Sequence, residues 1–187
     1  MNLVYCGQFR DSAGYGVAAR GYLKSLDTYL SKNPDSLNLK IYSSVIKQSD
    51  KLTDSELELI TKYEFTDDDD VKNVISENYT LIWHMPPPLI SFADDRFHPS
   101  PNCSPYLLKL IKNAKYNINL AAWEVDLLPP EWLIDYEYFK PDMIITPCEW
   151  NTDVFSKDTG IPCRTVPHLI ETLSDESQPL RLPLDLD

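Results

Sequence analysis

Short apolar runs alternate along the chain with longer amphipathic stretches, the pattern of strands and helices wound around a mostly parallel sheet. Asn2–Cys6 reads as a buried strand, followed by a turn-rich segment from Gly7 to Gly16. From Val17 the spacing becomes helical. Ala19, Leu23, Leu26 and Leu30 form one apolar face until Asn33-Pro34 ends it. Leu37–Val45 predicts a second strand, with Leu39 and Ile41 alternating against polar neighbours. Thr53–Lys62 predicts a helix capped by Thr53, with Glu56 at the capping-box offset. Asp67-Asp68-Asp69-Asp70 offers charge enough for a divalent ion, but reads as a solvated loop.

Tyr79–His84 is the most strongly marked central strand, bounded by Pro86-Pro87-Pro88. An irregular stretch follows. Ser104 then caps a helix with Pro105 in its first turn and Tyr106, Leu107, Leu110 and Ile111 inside it. Asn117–Trp123 predicts another buried strand, and Pro129-Pro130 opens a helix carrying Trp132, Leu133, Tyr136 and Phe139. Asp142–Thr146 is a strand, Asn151–Lys157 a short helix closed by Gly160, and Cys163–Val166 a last strand. The expected fold is α/β, an open and mainly parallel sheet with helices on both faces. Strands buried on both sides account for the near-continuous apolar runs. Residues 1–171 form the expected domain, and the polar, proline-containing stretch 172–187 reads as a linker or the start of a connection.

Composition narrows the partners. The 187 residues carry 29 acidic and 17 basic side chains, a net charge of −12. Surfaces that bind nucleic acid or anionic lipid have the opposite sign, so neither is expected, and membrane association is expected to be weak or absent. No apolar run approaches the roughly 20 residues needed to span a bilayer. Cys6, Cys103, Cys148 and Cys163 are scattered with no C-x-x-C pair. They read as free buried thiols of a reducing, cytoplasmic compartment rather than metal ligands.

Four segments offer chemistry. Gly14-Tyr15-Gly16-Val17-Ala18-Ala19 fits G-x-G-x-x-A, where glycines let backbone N–H groups approach an anion beside a helix N-terminus. Seven residues separate it from Cys6, and Ser43 and Ser44 stand where a nicotinamide-binding fold places an acid. The loop therefore serves another phosphate or sugar ligand, or is simply a structural turn. His84 ends the central strand, where open α/β sheets place ligands; a hydrogen-bonded core histidine is the alternative. Trp123-Glu124-Val125-Asp126 follows the next strand. Its carboxylates suit sugar hydroxyls or a general base, or else helix-entry charge beside an aromatic plug. Asp94-Asp95 resembles the acidic pair some transferases use for a metal, but no metal or cofactor is expected.

Together these segments resemble the N-terminal domain of family 4 glycosyltransferases, the retaining class with the GT-B fold. Gly14-Tyr15-Gly16-Val17-Ala18-Ala19-Arg20 looks like that family's glycine loop and first helix, and Leu81-Ile82-Trp83-His84 like its strand ending in His. Trp123-Glu124-Val125-Asp126 with Pro129 and Trp132 is similar to the W-E-x-D passage of one branch. Asp142–Trp150 resembles the strand and turn that follow, and Gly160-Ile161-Pro162 through Val166-Pro167-His168 the stretch leading out of the domain. The resemblance runs from about residue 2 to residue 171.

It implies a Rossmann-like acceptor-side domain facing a second domain that would hold most of a nucleotide-sugar donor. Transfer to a glycan, lipid or protein acceptor would need both. The expected site has His84 and Glu124 in catalytic roles, Gly14, Gly16 and Arg20 near the donor phosphates, and Tyr15, Trp123 and Asp126 on the substrate. The alternatives are a non-catalytic partner module of the same fold and an unrelated nucleotide-binding α/β domain.

Overall fold

The computed structural model describes residues 1–44, 49–65, 68–93, 96–99 and 103–168. The chain runs β1 (Asn2–Gly7), α1 (Gly14–Lys32), β2 (Asn38–Ser43), α2 (Asp54–Tyr63), α3 (Asp68–Ile75) and β3 (Tyr79–His84). It continues with β4 (Ile90–Ala93), β5 (Arg96–Pro99), α4 (Pro105–Asn113), β6 (Tyr116–Leu120), α5 (Pro130–Phe139), β7 (Met143–Thr146), α6 (Glu149–Thr159) and β8 (Cys163–Thr165). Six strands form one parallel sheet in the order β2-β1-β3-β6-β7-β8. This is the expected Rossmann-like open sheet.

Helices cover both faces because the inner strands β1, β3 and β7 carry apolar residues toward both sides. Val4, Cys6, Leu81, Trp83 and Ile144 pack with Leu107 and Leu110 of α4, Trp132 and Tyr136 of α5, and Phe155 of α6. Leu3, Tyr5, Leu39 and Ile41 pack on the other face against Ala19, Leu23 and Leu30 of α1 and Ile60 of α2. The strand order explains the unequal cover. Every crossover after β3 steps in one direction, so right-handed connections place α4, α5 and α6 on a single face. On the α1 face a cavity of about 260 Å³ remains, bordered by Tyr5, Tyr22, Ile82, Leu120, Ile145 and Val166.

Several expectations change in detail. Helix α1 starts at Gly14 rather than Val17, so both loop glycines lie in its first turn. Strand β6 stops at Leu120 instead of Trp123, because the Trp123 N–H and C=O bond the Asn151 side chain rather than a neighbouring strand. Asp68–Ile75 is helical. An N-terminal turn favours negative charge, which lets an acidic run open a helix rather than a loop. The stretch after the prolines contains the antiparallel pair β4–β5. The capping box at Thr53 and Glu56 is present. Cys6 and Cys103 are buried as expected, but Cys148 is exposed just before α6 and Cys163 is half-buried. The expected linker at 172–187, Asp67 and the Asp94-Asp95 pair lie outside the described residues. No helix among the described residues is long and apolar enough to cross a membrane.

Candidate functional site

The order β2-β1-β3 reverses the direction of winding between β1 and β3, the switch point at which open α/β sheets form a crevice. Gly7 ends β1 in register with His84 at the end of β3. The imidazole is therefore delivered to the carboxyl edge by two flush strands, and it is 1% exposed.

An aromatic shell encloses it. Tyr5 Oη lies 2.7 Å from His84 Nδ1. Ring centroids of Tyr15 and Tyr22, both on α1, stand 5.3 and 5.9 Å from the imidazole. His168 lies 6.4 Å away, brought in because the Tyr22 hydroxyl donates to the carbonyls of Val166 and Pro167. Burial, with a smaller contribution from His168, lowers the His84 pKa to about 3. The ring is thus neutral across the physiological range. Burial also lowers His168 and raises Tyr22 to about 12.

Tyr15 joins this cluster to the loop after β6. Its hydroxyl donates to the Ala122 carbonyl and accepts from the Ala122 N–H, both at 3.1 Å. Burial raises the phenol's pKa against the effect of the Ala122 bond, and the charge of Glu124 adds to the rise. Glu124 and Asp126 stand exposed on this loop. Trp123 is fixed by Asn151, by its indole N–H on the Leu127 carbonyl, and by its ring 4.4 Å from that of Trp132. The structure thus brings Tyr15 and His84 into ring contact and sets the Trp123–Asp126 loop beside them.

Gly14, Gly16 and Arg20 sit on the same edge. A Cβ at Gly16 would lie 2.1 Å from the Asp11 carbonyl oxygen, whereas one at Gly14 would meet open space. Gly16 therefore lets α1 press against the chain's own loop. Arg20 is buried and donates to the Phe9 and Asp11 carbonyls at 2.9 and 2.5 Å and to Glu56 at 2.7 Å. Its guanidinium fastens the Gln8–Ala13 loop to α2. Arg10, on that loop, pairs with Glu64 at 2.6 Å. Among the described residues no group of three or more His, Cys, Asp or Glu side chains is placed to hold a metal.

The sequence does not mark Tyr5 or Tyr22 for a site, and it marks His168 only as part of the stretch leading out of the domain. Tyr5 reads as an ordinary inward position of a buried strand. Tyr15 and Tyr22 did carry a signal: seven residues apart, they share one face of α1. Comparison of the chain with protein-family models, curated proteins and solved structures finds no match.

Proposed function

We propose that this chain is the acceptor-side, Rossmann-like domain of a retaining glycosyltransferase of the cytoplasm, moving a sugar from a nucleotide-sugar donor to a hydroxyl acceptor. The observation that carries the reading is the convergence of His84, Tyr15 and the Trp123–Asp126 loop at the switch point of a parallel sheet. A neutral imidazole, exposed carboxylates and aromatic rings are the groups that recognise a polyol: N–H to sugar oxygen, carboxylate to sugar hydroxyl, ring face to sugar C–H.

The charges favour the acceptor over the donor diphosphate at this edge. Glu124 and Asp126 are exposed, while Arg10 and Arg20 engage carboxylates and carbonyls of the protein. A leaving diphosphate needs positive charge where its own charge develops, and in this reading a second domain supplies it. His84 then contacts a sugar oxygen, Glu124 takes up the acceptor hydroxyl, and Tyr15, Trp123 and Asp126 orient the ring. Positioning of this kind contributes up to about 7–11 kcal/mol in favourable cases, most of which needs both walls.

Calorimetry with UDP- and GDP-sugars and with simple glycosides, alongside a product assay, tests the reading. Donor binding to this chain is expected at dissociation constants on the order of millimolar or weaker, without turnover. Robust turnover by these 187 residues would show a complete small enzyme instead. Failure of every sugar to bind would remove the sugar-transfer reading.

A further inference from the structure

Tyr5 and His84 lie on adjacent strands with their polar atoms 2.7 Å apart, and Tyr5 is only 2% exposed. Such a pair admits two proton arrangements: the phenol donates to Nδ1, or an Nδ1–H donates to the phenol oxygen. The second leaves the phenol's own hydrogen pointing into protein, because Nδ1 is the one partner of Tyr5 Oη among the described residues. A buried donor without an acceptor loses more than a hydrogen bond gains. The first arrangement leaves nothing unmet on Tyr5. With the ring neutral, it places the imidazole proton on Nε2.

Nε2 itself has no partner among the described residues. Ser43 Oγ is the one fully enclosed side-chain polar atom without a partner there. Nε2 must therefore retain the sliver of His84 that solvent still reaches, beside the rings of Tyr15, Tyr22 and His168.

We propose that Tyr5 is a positioning residue that fixes His84 as the Nε2–H tautomer, so that the site meets its ligand with a neutral N–H donor awaiting an acceptor oxygen. The ligand group that completes it is a hydroxyl or carbonyl oxygen rather than an ammonium or another N–H. His84 consequently acts as a hydrogen-bond donor and not as a general base, since its second nitrogen is already occupied by the Tyr5 hydroxyl. The ligand half of this inference rests on the sugar-transfer reading; the tautomer does not.

The test is ¹⁵N-edited long-range NMR of the histidine-labelled chain, with His84→Gln used to assign the His84 signals among three histidines. In the wild type the Nε2–H form is expected to outnumber Nδ1–H by about tenfold or more from about pH 5 to pH 9. Tyr5→Phe should bring the two forms within about threefold of each other, as loss of one buried hydrogen bond predicts. A dominant Nδ1–H form in the wild type overturns the proposal whether or not the variant folds. An unchanged ratio in folded Tyr5→Phe overturns it as well. Adding UDP-glucose, GDP-mannose and methyl glucosides separates the two readings. A shifted Nε2–H resonance with about threefold or greater weakening in Tyr5→Phe supports both. An Nε2–H tautomer that no sugar perturbs keeps the role of Tyr5 and removes sugar transfer.

Discussion

The loops after β1 and after β6 meet at Tyr15 but are built on opposite plans. The first, residues 8–13, turns its charge inward. Arg20 grips two of its carbonyls, Arg10 reaches Glu64, the Asp11 N–H bonds the Gln8 carbonyl, and Gly16 lies beneath it without a side chain. The second, residues 121–129, fastens its backbone and leaves its charge outside. Asn151 holds Trp123 and Asp158 accepts from the Leu128 N–H, while Glu124 and Asp126 face solvent. In sequence the Gly14–Gly16 motif with Arg20 reads as a phosphate cradle. In three dimensions the arginines serve the protein's own carboxylates and carbonyls, and the acids of the other loop set the sign of the edge.

This contrast can be broken experimentally. Gly16→Val should have the largest effect, about 3 kcal/mol of stability or more, since the added carbons meet backbone rather than a side chain able to move. Gly14→Ala, two residues away in open space, should be neutral or slightly stabilising. Urea midpoints of the two variants check the pair, and equal losses would mean that Gly16 is not a packing glycine. Arg20→Met should cost about 2–3 kcal/mol, the scale for charged hydrogen bonds whose partners remain, measured the same way.

His84 gives a pH signature. Its folded pKa of about 3 lies below its ordinary 6.5, so the unfolded chain binds the proton more readily. Its contribution to stability is complete above about pH 6.5 and is lost as pH falls toward 3. Between pH 6.5 and 5 the loss is about 1.6 kcal/mol. The difference between wild-type and His84→Phe stability curves isolates it, and parallel curves would contradict the burial argument. Glu124→Gln combined with Asp126→Asn should change stability by about 0.5 kcal/mol or less. If the second loop is the ligand-facing one, the same pair should weaken glycoside binding in calorimetry.

The sheet was legible because its inner strands carry apolar residues on both faces, as in Leu81-Ile82-Trp83-His84 and Met143-Ile144-Ile145. The capping box at Thr53 was legible for a local reason: its two bonds join residues three apart. What escaped depends on distant partners. Asn117–Trp123 reads as one strand, and only the side chain of Asn151 shows why it leaves the sheet at Leu120. The motif around Gly14 and Gly16 marks a close approach correctly, but local pattern does not say whether a ligand or Asp11 approaches. Tyr5 is indistinguishable in sequence from any other inward residue of β1, because its importance lies in the one atom it faces on β3.

The hydroxyl of Tyr22 has a consequence in time as well as in space. Its bond to Val166 joins positions 144 residues apart, so it closes a loop spanning nearly the whole described chain. Closing so long a loop is slow relative to local pairing, whereas β1 and β2 flank a single helix. The cover over His84 is therefore expected to form late in folding, which pulsed hydrogen exchange of the Val166–Pro167 segment would check. By the same logic it is among the first parts to let go when the native state opens locally. A histidine that ends an inner strand of the sheet is thus covered by one of the longest-range contacts described in the molecule.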